Sequence, residues 1–226
     1  MAFTHLHVHT EYSLLDGSNK IKEYVRRVKE LGMDSAAITD HGVMYGVIDF
    51  YKACRAEGIR PILGCEVYVA PNSRFDKELT GGDDRYYHLV LLAENNTGYN
   101  NLTRIVSRGF TEGYYYKPRV DMELLQEFHE GIIALSACLA GEVQRYITKG
   151  LYDEAKKTAL KYQACFGKGN YFLELQDHGL PEQKMVNTAL LQMSKELDIP
   201  LVATNDVHYT YKEDVKPHDI LLCLQT

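Results

Sequence analysis

Short apolar runs alternate along this chain with segments whose apolar residues recur at helical spacing. Runs rich in Val, Ile, Leu and aromatic residues fall near 3–9, 35–39, 60–69, 87–93, 131–136, 171–176 and 200–205, and each predicts a strand. Between them, apolar positions three and four apart predict helices near 20–31, 45–57, 97–110, 140–148, 153–166 and 182–197. Ser18 or Asn19 is placed to cap the first helix and Gly32 to end it, as Gly58 ends the second. Regular β–α alternation indicates a mostly parallel sheet buried on both faces. Seven strands of this kind suit an α/β fold closed, or nearly closed, into a TIM-like barrel, with sites gathered at the C-terminal strand ends. No glycine-rich phosphate fingerprint follows the first strand, which argues against an open doubly wound sheet.

Polar residues interrupt this pattern at particular places. In an extended strand His5, His7 and His9 share one face. Buried imidazoles need partners, and neutral imidazole is the commonest protein ligand for zinc. A satisfied core histidine with two exposed neighbours would explain this motif if it stood alone. Asp16 follows, however, in a Leu14-Leu15-Asp16-Gly17 turn, and Asp40-His41-Gly42 ends the run Ala36-Ala37-Ile38-Thr39. Glu66 lies inside Ile62–Val69, His88 heads His88–Leu92, Cys138 closes Ile132–Cys138, and Asp206-Val207-His208 follows Leu201–Thr204. A carboxylate buried in an apolar strand is costly without a cation. Most of these groups fall at C-terminal strand ends, but His88 begins its strand. That strand starts later, runs the opposite way, or sits low in a distorted barrel.

Composition narrows the picture. The 226 residues, 45% of them hydrophobic, fit one domain that buries roughly 70–75% of its unfolded surface. No apolar run approaches the ~20 residues of a membrane span. The N-terminus enters a strand without a basic region or a cleavable apolar segment, so secretion is not expected. Five cysteines (54, 65, 138, 165 and 223) without tight pairing indicate reduced thiols and a cytoplasmic location. A net charge of −6 argues against a general nucleic-acid coating surface, though bound divalent cations would change the local field. Neither a Gly-x-Ser-x-Gly elbow nor a phosphate-binding P-loop occurs, so no side-chain nucleophile is expected.

His7-x-His9, Asp40-His41-Gly42, the strand-borne Glu66 and Asp206-x-His208 together resemble the polymerase and histidinol phosphatase (PHP) family of metal-dependent phosphoesterases. Leu14-Leu15-Asp16-Gly17, Ile62-Leu63-Gly64, Asn96-Thr97-Gly98-Tyr99, His178-Gly179-Leu180-Pro181-Glu182 and Val202-Ala203-Thr204-Asn205-Asp206 are similar to the PHP domains of bacterial DNA polymerase III α subunits. The likeness covers essentially the whole chain, so residues 1–226 read as a single PHP domain from the N-terminus of a much longer polymerase. It implies a distorted seven-stranded (β/α)7 barrel with three divalent metal ions. By resemblance, His7, His9, Glu66 and Asp206 hold one ion. Glu66 bridges to a second held with His88 and Cys138, while Asp16, His41 and His208 hold the third. The donor mixture favours Zn2+, with Mn2+ or Fe2+ tolerated. Cys138 stands where other members carry histidine. His5 and Asp40 are cast either as partners that orient ligand imidazoles or as loop-end groups bonded to backbone.

The implied activity is phosphoester hydrolysis at a DNA 3′ end, a 3′–5′ exonuclease that proofreads one nucleotide at a time. Implied partners are DNA, the remainder of the polymerase chain and, through it, other replisome subunits. Two alternatives remain: a metal-stabilised module that braces a polymerase without turnover, and a stand-alone phosphomonoesterase of the histidinol-phosphatase type. An amidohydrolase barrel also begins with His-x-His, but its bridging lysine has no match here.

In Gly113-Tyr114-Tyr115-Tyr116-Lys117-Pro118-Arg119 the tyrosines can stack on unpaired bases and Arg119 can reach a phosphate; packing against the barrel explains them equally well. Arg74, Lys77 and Arg85 flank a Gly81-Gly82-Asp83-Asp84 tip that reads as a mobile loop with solvated charges. His129, His178 and His218 have no metal-like setting, and Cys54, Cys65, Cys165 and Cys223 read as small buried hydrophobes. An apolar helical start follows Pro217, as expected where a domain runs on into a polymerase. No polymerase carboxylate set is present, so nucleotide polymerisation is not expected of these residues.

Overall fold

The computed structural model describes residues 3–78 and 85–224; Gly81–Asp84 therefore lie outside the described residues. In chain order the elements are α1 (Ile21–Glu30), β1 (Ser35–Ile38), α2 (Val47–Glu57), β2 (Arg60–Val69), β3 (Tyr87–Ala93) and α3 (Asn96–Thr111). A short hairpin of β4 (Tyr114–Tyr115) and β5 (Lys117–Val120) leads to α4 (Met122–Glu127), β6 (Ile132–Leu135), α5 (Glu142–Thr148) and α6 (Tyr152–Phe166). Last come β7 (Tyr171–Leu175), α7 (Pro181–Leu197), β8 (Leu201–Ala203) and α8 (Val215–Cys223). The helices start and stop for local reasons. Asn95 accepts a hydrogen bond from Gly98 N at 3.0 Å to cap α3, Pro181 opens α7, and Gly58 ends α2 at φ 74°. Asn19 does not cap α1: its amide donates to the carbonyl of His9 at 2.7 Å, and the N-cap position falls on Lys20, which gives no side-chain cap.

The strands form a curled sheet in the order β4-β5-β2-β3-β6-β7-β8, with β1 also paired to β2. Most pairings are parallel, as the alternation requires, but β3 runs antiparallel to both β2 and β6. This resolves the placement of His88: the strand runs the opposite way, so its first residues lie where β2 ends. Tyr68 pairs directly with His88, and side chains two apart share a face, so Glu66, Tyr68 and His88 all face the same side.

The strand expected over 3–9 is absent as a regular element. Val8 N donates to the side-chain oxygen of Thr39 at 2.8 Å, which interrupts the ladder. Instead the segment touches β1 through Ala37 N to His5 O and meets the chain after β8 through His9 N to Val207 O and Val207 N to His7 O. The expected seven-stranded barrel is thus present as a curled sheet whose two margins are linked by single hydrogen bonds rather than by a continuous ladder. Inside the curl lie Ala37, Val90, Leu92, Leu135 and Ala137. The larger core sits outside, between the sheet and α3–α7, with a second one under α1 and α2. No helix among the described residues is long and apolar enough to cross a membrane.

Candidate metal centre

All nine side chains singled out as ligand candidates lie together at the mouth of the curled sheet. Glu66, 1% exposed, is the hub. Its carboxylate lies 3.3 Å from Nε2 of both His7 and His9, 2.8 Å from His41 Nδ1 and 3.0 Å from His88 Nδ1. Asp206 Oδ1 approaches the same two nitrogens of His7 and His9 at 3.3 and 3.2 Å. Asp16 Oδ2 lies 2.7 Å from His41 Nε2 and 3.4 Å from His208 Nε2. Cys138 Sγ is 3.8 Å from His88 Nδ1 and 4.0 Å from Glu66. The His9 ring stacks on those of both His41 and His208, with centroids 4.0 and 4.4 Å away.

Several of these contacts are close without being hydrogen bonds. His7 Nε2, His9 Nε2, His41 Nδ1, Glu66 Oε2 and Asp206 Oδ1 are buried and have no hydrogen-bond partner. A buried polar atom without a partner costs roughly 1–3 kcal/mol. Such atoms gathered at one place are what a cation would satisfy, and the mixed imidazole, carboxylate and thiol donors fit a divalent transition metal. Three overlapping triads have donor atoms close enough to share an ion: His7, His9 and Glu66; His41, Glu66 and His88; and His9, His41 and His208.

Electrostatics around the hub are strongly coupled. Burial alone would lower the pKa of His7, but Asp206, Glu174 and Glu66 hold it well above its usual value. Burial and the neighbouring His41 push His9 down to about 3. For His41 burial again opposes the charge, yet Glu66 and Asp16 raise it to about 9. Burial disfavours ionised Glu66, and His88, His7 and His41 overcome this to keep its carboxyl well below the usual range. Burial, then Glu66, drive the Cys138 thiol well up, so only a positive partner would make it a thiolate ligand.

The backbone is bent to deliver these groups. Leu15 (φ 63°), Ala137 (φ 65°) and Asp206 (φ 46°) adopt left-handed conformations at, or one residue before, Asp16, Cys138 and Asp206. Non-glycine residues enter this region at a cost, and such positions cluster at functional sites.

A layer of supporting residues surrounds the cluster. His7 Nδ1 donates to Glu174 Oε1 at 2.7 Å, and that carboxylate also accepts from Gln176 at 2.9 Å and from the Thr204 hydroxyl. Glu174 escaped the sequence reading, although its setting in Tyr171-Phe172-Leu173-Glu174-Leu175 carries the same signal that exposed Glu66. Ser13 was also missed: its hydroxyl bridges His9 Nδ1 at 3.0 Å and Asp40 Oδ1 at 2.7 Å. Asp40 accepts from Thr10 N and Oγ1 as well, so it acts on His9 through Ser13 and by pinning the loop. His218 and His178, given no role from sequence, brace the rim: His218 Nε2 bonds the Asp16 carbonyl at 2.7 Å and His178 Nε2 that of Asn205 at 2.8 Å.

Other positions fall elsewhere. His5 packs edge-on against Phe3, and its Nδ1 is buried without a hydrogen-bond partner, so it orients no imidazole of the cluster. Arg119 is 3% exposed, its guanidinium given to the carbonyls of Gly113, Arg74 and Asp76 at 3.2, 3.2 and 2.5 Å. The phosphate contact expected of it is thereby replaced by a structural one. Arg74, expected to be solvated, is 2% exposed and ion-paired to Asp121 at 2.8 Å and Glu112 at 2.7 Å. Cys54, Cys65 and Cys165 are buried as expected, whereas Cys223 is exposed on α8.

Beside His41, His88 and Asp16 opens a cleft of about 380 Å³ with an aromatic lining that includes Tyr45, Tyr68, Tyr86, Phe110, Tyr114 and Tyr116. A metal cluster at the base of an open, ring-lined cleft can hold and polarise a phosphoester whose organic part lies on the rings.

Comparison with known proteins identifies the family and the fold. The PHP domain family matches residues 5–178. The chain is 53% identical over all its length to a DNA polymerase III subunit alpha of Treponema pallidum, and 49% identical over 99% of its length to that of Deinococcus radiodurans. It spans only 19% and 17% of those proteins, corresponding to their N-terminal region. Among solved structures, a protein assigned as a metal-dependent phosphoesterase from Bifidobacterium adolescentis matches over 96% of both chains with a TM-score of 0.56 at 14% identity, a likeness of fold. With residues 5–178 matched to one family and relatives 53% and 49% identical over nearly its whole length, the chain belongs to the PHP domain family.

Proposed function

We propose that this domain is a metal-dependent phosphoesterase that removes nucleotides from a DNA 3′ end, as the proofreading part of a cytoplasmic replicative polymerase. The five buried, partnerless atoms of His7, His9, His41, Glu66 and Asp206 carry this reading. Three divalent cations would be held by these donors, one by His7, His9, Glu66 and Asp206, one by Glu66, His88 and Cys138, and one by Asp16, His41 and His208. Imidazole, carboxylate and thiolate together favour Zn2+, with Mn2+ or Fe2+ next. Bound there, the ions would activate water and neutralise charge on the phosphoryl oxygens.

The chain's own groups do the positioning. Glu174 fixes the His7 ring with Nε2 toward the cluster, and Ser13 does the same for His9. Asp16 and His208 stand at the half-buried rim, where a phosphate entering from the cleft would first meet the site. The remainder of the polymerase chain, and replisome subunits bound through it, would bring the DNA end.

Incubation of the zinc- or manganese-loaded protein with a 3′-labelled, mismatched primer tests the reading. Stepwise loss of terminal nucleotides, abolished by Glu66→Gln, is expected. An intact primer with the metals confirmed bound would leave a structural module without turnover, and cleavage confined to phosphomonoesters would point to a histidinol-phosphatase-type activity.

A further inference from the structure

The rings of the cleft are more exposed than packing requires. Tyr45, Tyr114 and Tyr116 are 62%, 53% and 61% exposed, yet all three line the opening that reaches Asp16, His41 and His88. Deeper in, Tyr68 stacks on His41 with centroids 5.9 Å apart, and Tyr86 meets Tyr68 edge-on at 4.8 Å. The aromatic lining is therefore continuous from solvent to the metal-binding side chains. Exposed apolar groups gathered in one concavity mark a binding surface.

Charge lies beside the rings. Lys117 Nζ sits 5.4 Å from the Tyr68 ring in the same opening, and the Arg85 guanidinium lies 4.4 Å from the ring of Tyr116. Tyr116, between β4 and β5, holds φ at 62°, a strained value for a bulky residue. Flat faces next to cations suit a nucleobase and its phosphodiester. A compact phosphomonoester would leave the rings without a partner.

We propose that this cleft seats the unpaired terminal base of a DNA strand on Tyr45, Tyr114 and Tyr116, with Lys117 at the adjoining phosphate. The proposal rests on the phosphoesterase reading and adds to it a selection for frayed ends. At a paired end the partner base holds the edge of the terminal base and its stacked neighbour covers one face, so that base must unpair and unstack before it can enter.

Anisotropy titration of the zinc-loaded protein tests this, with single-stranded oligodeoxynucleotides whose last linkage is a hydrolysis-resistant phosphorothioate, which keeps the negative charge. One ends in thymine, the other in an abasic sugar. The thymine end is expected to bind about tenfold or more tightly. The pair Tyr114→Ala and Tyr116→Ala should bring the two ends within about twofold of each other, while Tyr116→Phe keeps the difference. Equal affinity for both ends, binding of neither, or an equal loss on both in the alanine variant overturns the proposal. Unmodified labelled ends separate the two claims. Base discrimination without trimming would defeat the phosphoesterase reading and leave the cleft assignment standing; trimming without base discrimination would do the reverse.

Discussion

Glu174 touches no other member of the cluster than His7, yet it sets that ring's tautomer. Its carboxylate can only accept, so His7 Nδ1 carries the proton and Nε2 offers its lone pair to the cluster. Glu174→Gln is expected to weaken zinc binding by about 10- to 100-fold while the protein stays folded, as read by competition with a chromophoric chelator and by circular dichroism. His41 makes a second, pH-dependent prediction. Its pKa, raised from 6.5 to about 9, means that the stability it contributes to the metal-free protein is complete below pH 6.5 and lost as pH rises through 9. In the metal-loaded protein the sign reverses, because a ligand imidazole must be neutral and cations bind more tightly as pH rises. Melting temperatures measured across that window with chelator and with zinc should move in opposite directions; parallel curves would remove the cluster's claim to a cation. At this scale Glu66 was legible because a carboxylate within an apolar strand stands out. Glu174 gave the same sign. Asp206 and Cys138 could be named as donors, but not the left-handed backbone at Asp206 and Ala137 that turns them inward, since both residues are ordinary in composition.

The elements were legible where they are long and regular. β2 and β3 occupy the stretches their apolar runs mark, and the first six helices expected are all present. Direction was not legible, because alternation of side chains reads the same in either sense; the register from Gly64 opposite Leu92 to Val69 opposite Tyr87 fixes β3 as antiparallel. The hairpin of β4 and β5 is too short to leave a periodic signal, and it contains Pro118. Close packing between elements yields a sharper forecast. A Cβ on Gly98, in the first turn of α3, would lie 1.8 Å from the Gly131 carbonyl oxygen, whereas one on Gly32 would meet nothing within 4 Å and only inherit φ 72°. Gly98→Ala should therefore cost at least about 3 kcal/mol, and Gly32→Ala about 1–2 kcal/mol. Chemical denaturation of the two variants decides it; equal losses would mean the helix can shift away from Gly131.

At the scale of the whole molecule, the site draws on segments from both margins of the sheet. His7 and His9 lie between β1 and the chain after β8, and only single hydrogen bonds join them there. Cations bound across that seam would tie the margins together. Metal removal is expected to cost about 4 kcal/mol at a free concentration a thousand times the dissociation constant. It should also speed amide exchange first at Val8, His9 and Val207 rather than uniformly. Exchange that quickened evenly over all elements would show that the seam is no weaker than the rest.

One further outcome follows from the reversed course of β3. In a wholly parallel barrel, the connection leaving a strand at its C-terminal mouth must return through a helix to the far side. Here the chain leaves β2 at the mouth and re-enters through β3 at the same end, so the connection from Ala70 to Tyr86 is not spent on a crossover. With the contacts of Arg74 and Asp76 kept, the rest of that stretch can be lengthened, shortened or exchanged while each rung of the sheet keeps its register. It is the natural graft point for giving this scaffold a different appetite.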